Sequence, residues 1–341
     1  MGALNAGPFQ RLRPVLEDAL RKHIGDGRSP LHEMLRYYMG WADERGSEER
    51  GVTPDMVHGT MCLLAAESLG ESASSALPAA VAVELAVASS EIHRDLREGS
   101  PTRGNRQALW WVYGHAQGIN AGDGAYSLAR LALMDLDAMR LGAGSVLRCL
   151  AILDQSWMEG ALVIADQINQ AEESAVSSSE HLTMVEGEYG ARMAAAVSIG
   201  AVCAVADLAT VDRLGKFGRY IGSGCRLREE LDTLWPRESA AGGQIVETLD
   251  KKRSLPLLYG LEHAAPRELE AIKAVASREQ PIDDLRTREV LEIVERTGAR
   301  RYGEGLIREL LAKGIEALGD SGGKADVLVA AAQGLLTRGD E

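Results

Sequence analysis

Glu91, Asp95 and Glu98 stand at i, i+4 and i+7, a spacing that lines carboxylates along one helix face. Arg94 and Arg97 interrupt that stripe, and Arg103 and Arg106 follow it across a Gly99-Ser100-Pro101 break. A second set of similar make-up, Arg226, Arg228, Glu229, Glu230 and Asp232, lies farther along the chain. Carboxylates so spaced can hold divalent cations that stabilise a departing anion, whereas arginines among them suit direct bidentate contact with phosphate oxygens.

Charge counting weighs one chemistry against the other. Three carboxylates against Arg94 and Arg97 leave about -1 in the first set, and Glu229, Glu230 and Asp232 against Arg226 and Arg228 leave about -1 in the second. A cation beside Arg94 or Arg228 also meets repulsion of about 4 kcal/mol per unit charge at 4 Å and an effective dielectric of 20. Tight magnesium binding is therefore not expected, although Asp95, Glu98, Glu229 and Glu230 are the residues that would supply it. The simplest role for Arg94 is an i, i+4 ion pair with Glu98. The sharper one is replacement of metal by guanidinium, with Arg94, Arg226 and Arg228 meeting a diphosphate directly. Glu229 and Glu230 are adjacent and so point to different sides of a helix. His93 and His115 have no second histidine at ligand spacing and are expected to be structural, and Trp110 and Trp111 to pack on two helix faces.

The elements that must carry these residues read as helices throughout. Apolar periodicity predicts helices over 8–24, 30–45, 55–69 and from Leu77 to the acidic stripe. Others are expected over 106–117, 122–140, 144–170, 178–205, 209–235, 247–263, 266–277, 283–297, 303–317 and 323–337. Ser29 is read as an N-cap before Pro30, Gly46 as a stop, and Asn120-Ala121-Gly122-Asp123-Gly124 as a turn that opens the next helix. Ser177 to Glu180 and Ser239 to Gly243 are read as loops. Period-two alternation never persists for a strand's length, so the fold class is all-α.

The order acidic helix end, arginine loop, glycine-aspartate helix resembles the trans-polyprenyl diphosphate synthases. Their IHDDxxD motif matches Ile92-His93-Arg94-Asp95-Leu96-Arg97-Glu98, their Arg-Arg-Gly loop matches Arg103-Gly104-Asn105, and AxxAGDxL matches the segment around Asn120 to Asp123. The end of the second aspartate helix, FQxxDDxxD, falls on Cys225 to Asp232, behind Phe217-Gly218 and Ile221-Gly222. A KKxTLPxLxxLE run falls on Lys251-Lys252-Arg253-Ser254-Leu255-Pro256 and onward to Leu261. The likeness is strongest over residues 31–261. It implies one domain over residues 1–341, an isoprenoid synthase-type helical bundle around a central cavity, prenyltransferase chemistry, and magnesium as the family cofactor. It also implies diphosphate-binding roles for Arg103, Lys251 and Lys252, beside Arg94, Arg226 and Arg228, whose guanidiniums suit the same contact.

The departures fall on ligand positions. Arg94 replaces the first aspartate, Pro54 to Gly59 replace the Gly-Lys-Arg-x-Arg-Pro anchor, and Glu188 replaces a lysine. Gly160-Ala161 replaces Gly-Gln, Gly242-Gly243 replaces Gly-Lys, and Gly104 replaces the second loop arginine. The expected function is a non-catalytic or regulatory partner of an active synthase, as a homodimer or a heterodimer. The alternative is an active prenyltransferase or terpene cyclase of altered, metal-independent prenyl diphosphate chemistry. Glu91 among small Ser89 and Ser90 sits badly with a greasy pocket.

A formal net charge of -13 with 26% charged and 45% apolar residues describes a folded protein without the basic face that nucleic acid needs. Cys62, Cys149, Cys203 and Cys225 are single and in apolar surroundings, as expected for core thiols in a reducing cytoplasm. The most apolar segment, 193–206, is shorter than the roughly 20 residues of a membrane span.

Overall fold

A computed structural model describes residues 7–25, 29–49, 51, 53–104, 106–136, 141–173, 176–236, 254–276, 284–319 and 325–337. They are helical almost throughout. The expected 8–24 helix is α1 (Gly7–Ile24), and α2 (Pro30–Tyr38) starts at Pro30 as read from the sequence. Ser29 does not cap α2 through its side chain; its hydroxyl meets the ring Nδ1 of His32. Nor does α2 run to residue 45. Gly40 turns the chain at φ 74, and Arg106 donates to the Tyr37 and Ala42 carbonyls at 3.0 and 2.7 Å, taking up acceptors that further helix would have used.

The next two helices, α3 (Val57–Ser68) and α4 (Leu77–Glu98), are apolar nearly all round because they are buried nearly all round. With the short 3₁₀ turn before it, α4 is long and apolar enough by composition to cross a membrane, and 61% of its most apolar 18 residues are buried, as in a core helix. Gly99 ends α4 in the left-handed conformation, and a two-residue ribbon pairs Thr102–Arg103 (β1) with Arg106–Gln107 (β2). The expected helix over 106–117 is only α5 (Leu109–Tyr113). Gly114, at φ 88, breaks the chain there, and α6 (His115–Met134) runs unbroken through the expected turn at 120–124. Those glycines mark close packing instead. A side chain at Gly122 would collide with the His93 ring, and one at Gly124 would lie 2.7 Å from Leu31 Cδ1. Gly118 faces Leu96 while Gly122 faces His93, so α6 packs antiparallel on α4 through its small residues.

Beyond α7 (Ala143–Glu173), the expected 178–205 helix divides into α8 (Ser178–Val185), a π turn (Glu186–Gly190) and α9 (Ala191–Cys203). Ser177 and Glu180, read as loop, form a reciprocal capping box that starts α8. The chain continues as α10 (Leu208–Leu234), α11 (Leu255–His263), α12 (Pro266–Ala276), α13 (Asp284–Arg296), α14 (Ala299–Leu318) and α15 (Asp326–Leu336). The first part of the expected 247–263 helix, 247–253, and the Ser239 to Gly243 loop lie outside the described residues.

The chain divides into two compact units. The first comprises Met1–Gln155, Arg192–Gly215 and Asp320–Gly334, built on α3, α4, α6 and α9. In it Cys62, Cys149 and Cys203 are buried free thiols. The α3–α9 approach requires Gly200, where a Cβ would collide with the Cys62 carbonyl oxygen and lie 2.9 Å from the Ala65 methyl. Because the obstacle is backbone, Gly200→Ala is expected to destabilise the protein by about 1–3 kcal/mol. An unchanged urea midpoint would refute that close approach. The second unit comprises Ser156–Ala191, Lys216–Gly319 and Leu335–Glu341. Its core gathers Leu234, Leu257, Ile272, Val290, Ile293, Val294 and Ala299 from five successive helices.

Candidate functional site

The acidic stripe of α4 is closed by arginines. The ribbon turns Arg103 back onto the helix, where its Nε and Nη2 donate to the two Asp95 oxygens at 2.7 Å each. Arg103 also reaches the Glu91 carbonyl at 3.1 Å and Glu91 Oε2 at 3.0 Å. Arg94 Nη2 lies 2.6 Å from that same Oε2, an i, i+3 pair. The third guanidinium comes from far along the chain: Arg192, at the start of α9, donates to Glu91 Oε1 at 3.0 Å. Glu98 is partly buried, 3.9 Å from Arg97.

Burial works to raise the Asp95 carboxyl, and Arg103 works against it. His58, beside Arg192 and Glu91, is pushed down to about 4 by burial and by the Arg192 charge, which leaves it neutral at pH 7. Tyr38 lies under Arg103, 5.9 Å from guanidinium carbon to ring centre. Three guanidiniums and two carboxylates therefore meet here, an excess of one positive charge over those five groups. Arg103 and Arg192, which join from outside the helix, were not in the count made from neighbours in sequence.

These residues do not fit a divalent cation. Both oxygens of Asp95 and both of Glu91 accept guanidinium hydrogen bonds or ion pairs, so an ion would have to displace arginines and then sit among their charges. Among the described residues no group of three or more His, Cys, Asp or Glu side chains is arranged to hold a metal.

In the second unit, the last turns of α10 divide their charges between two sides. Glu230 is buried, and its oxygens accept from His181 Nε2 at 3.0 and 3.1 Å and from the Leu255 N–H at 2.8 Å, with Arg226 Nε at 3.0 Å. Burial alone would raise its pKa, but the charges of His181 and Arg226 carry it below the ordinary carboxylate range. Arg226 also pairs with exposed Glu229 at 3.0 Å and lies over the Tyr189 ring at 4.8 Å. Arg228 turns elsewhere, forming a bidentate pair with Glu304 at 2.8 and 2.6 Å, reaching the Leu336 carbonyl at 3.1 Å and lying 3.7 Å from Asp232. Arg226 and Arg228 thus serve different partners. Glu188 is buried in the π turn, close to Gly160. Lys251 and Lys252 lie outside the described residues.

Arg192, His181 and Tyr38 belong to these clusters and were not singled out by motif. A signal existed for Arg192, the lone charge between Glu188 and Asp207 in an alanine-rich run, since a charge on a buried helix requires a partner. Of the two tryptophans expected to pack, Trp110 is buried and Trp111 is not. His93 meets the Ile119 carbonyl at 3.2 Å, Trp110 is buried with its N–H on the Ser100 carbonyl at 2.7 Å, and Trp111 is exposed.

A polyprenyl synthetase family pattern matches residues 55–294. The chain is similar to a (2E,6E)-farnesyl diphosphate synthase of Mycobacterium tuberculosis, 30% identical over 86% of this chain and 82% of that protein. It is also similar to a geranylgeranyl diphosphate synthase of the same organism, 25% identical over 74% of this chain and 71% of the other. Among solved structures, a polyprenyl synthetase from Streptomyces coelicolor A3(2) superposes with a TM-score of 0.86 at 27% identity, covering 96% of this chain and 98% of that one.

Proposed function

The chain belongs to the polyprenyl synthetase family of isoprenoid metabolism, and from that premise we propose that it handles prenyl diphosphates without elongating them alone. It then acts as a partner of a catalytic polyprenyl synthase in the cytoplasm, its 341 residues forming one family domain. The observation that carries this reading is the closure of Glu91 and Asp95 by Arg94, Arg103 and Arg192, which occupies the positions a metal-dependent family member would leave for ions. Ionising an allylic diphosphate requires several kcal/mol of charge stabilisation that these carboxylates are not free to organise. Support for association comes from apolar side chains left exposed on α6 and the start of α7, namely Ile119, Leu131, Met134 and Leu147. A homodimer would cover them as well as a heterodimer.

A second reading is favoured by a different observation. The similar proteins carry the names of farnesyl and geranylgeranyl diphosphate synthases, and on that ground the chain is an ordinary synthase. The two readings separate in one assay. Purified protein with magnesium, isopentenyl diphosphate and an allylic diphosphate is expected to give no product above background. Turnover of about 1 per second or faster would establish the ordinary synthase. Co-expression with a synthase from the same genome tests the partnership: failure to co-purify, with that synthase's rate and product length unchanged, would remove it.

A further inference from the structure

We propose that Cys149 and Cys203 form a redox-sensitive thiol pair, which a small disulfide oxidant converts to a cross-link between α7 and α9. Three buried thiols converge in the first unit from helices far apart in sequence: Cys62 in the middle of α3, Cys149 in the second turn of α7 and Cys203 at the last residue of α9. At Gly200 α9 is pressed onto α3, since a Cβ there would collide with the Cys62 carbonyl oxygen, and Cys203 follows one turn later on the same helix face. A hydrogen bond joins the Cys203 and Cys149 thiols, while Cys62 acts on Cys203 through space. Of the three possible pairings, Cys149 with Cys203 is therefore the one whose sulfurs already meet.

While the helix end is closed, the pair is unreactive. Cys149 and Cys203 are 0 and 3% exposed, and their hydrogen bond, with burial, holds the Cys203 thiol up, so no thiolate is offered to an oxidant. Reaction requires the end of α9 to open, and strain is stored there. Val205 has φ 56, the left-handed position just past the helix where glycine is the ordinary residue, and it is largely exposed. The N–H groups of Val205 and Ala206 close the helix end on the Val202 and Ala201 carbonyls at 2.9 and 3.1 Å, so a β-branched residue holds this conformation two positions from Cys203. Opening releases the strain and brings Cys203 into water. Its thiol gives up a proton and attacks one sulfur of the oxidant, whose S–S bond breaks and whose other half leaves and takes a proton. Cys149 then loses its proton, attacks the Cys203 sulfur and expels the second half in the same way. Two protein thiols and one small disulfide become one protein disulfide and two small thiols, and an excess of small thiol reverses the exchange.

The test treats the full reduced chain with excess 2-hydroxyethyl disulfide under native conditions, then maps its peptides and counts its free thiols. Cys149 is expected joined to Cys203, with two protein thiols lost for each cross-link and both recovered with dithiothreitol. Cys62→Ala should keep the cross-link. Cys149→Ala should abolish it and leave Cys203 bonded to one half of the oxidant. Val205→Gly, which relieves the strain, should slow cross-linking about fivefold or more, the low end of what one strained residue supplies. Circular dichroism checks that each variant is folded. If Cys149→Ala does not fold, the wild-type peptide map and the Val205→Gly rate decide the question. A disulfide that includes Cys62, thiols that stay reduced until urea unfolds the chain, or a rate unchanged by Val205→Gly would each overturn the proposal. Elongation activity bears on the partner reading and leaves this measurement untouched.

Discussion

Glu230→Ala is expected to destabilise the protein by about 3–5 kcal/mol, the range for removing one member of a buried charged pair. The loss exceeds that of a surface ion pair because three groups depend on this carboxylate. His181 is 1% exposed, Arg226 is partly buried, and the Leu255 N–H is one of the orphan donors at the start of α11. Alanine leaves all three without this acceptor. Glu230→Gln keeps the shape and an oxygen for one donor, so its cost should be smaller, and the difference between the two variants separates charge from cavity. The pH dependence has a definite sign. Glu230 ionises more readily folded than unfolded, so its contribution is fully present above about pH 4.3, the ordinary glutamate value, and is lost as pH falls through the lower folded pKa. The gap between wild type and Glu230→Gln in urea titrations should therefore shrink as pH falls below about 4.3. A gap that is small at pH 7, or that persists unchanged into acid, would show that the buried pair is not formed.

Part of this architecture could be read from residue order and part could not. Helix positions followed from apolar periodicity because each buried stripe repeats within a few residues, and the acidic ends of α4 and α10 lay where their spacing put them. Glycine was the ambiguous letter. Gly114 has the positive φ of a break, whereas Gly122 and Gly124 are helical and present because His93 and Leu31 come too close for a side chain. Sequence spacing alone gives both the same appearance. The charge count along the helix was incomplete for a different reason. Counting along a helix finds Arg94 and Arg97, but the partner that completes Glu91 is Arg192, 101 residues away, and α4 offers no local pattern that announces it. Long-range ion pairs are legible only as a debt on each side, a charge on a buried face whose partner must lie elsewhere.

Another such residue is Glu84, and Glu84→Gln is expected to stabilise the protein by about 3 kcal/mol at pH 8 while changing it little at pH 5. Glu84 is 5% exposed in the middle of α4, and its oxygen accepts the Gly59 N–H at the start of α3. Gly59 allows this approach, since a Cβ there would lie 2.7 Å from Glu84 Cγ and 2.9 Å from the Ala80 carbonyl. Burial pushes the carboxyl up to about 7, against the hydrogen bonds from the Gly59 and His58 backbone and with help from nearby Asp55. The folded protein then holds a proton that the unfolded chain releases at about pH 4.3. Stability consequently falls as pH rises between those values, by about 1.4 kcal/mol per unit, and the full penalty stands above pH 7. Glutamine resembles the protonated acid, keeps an acceptor for Gly59, and removes the slope. The wild-type curve alone is not diagnostic, because His58, pushed down to about 4, contributes a slope of the opposite sign between there and its ordinary value near 6.5. The difference between Glu84→Gln and wild type cancels that contribution. Denaturant titrations at pH 5, 6, 7 and 8 should show the difference growing with pH and levelling above 7. A difference independent of pH would mean that Glu84 is ionised throughout, and that the start of α3 is held by a charge where a neutral acid is expected.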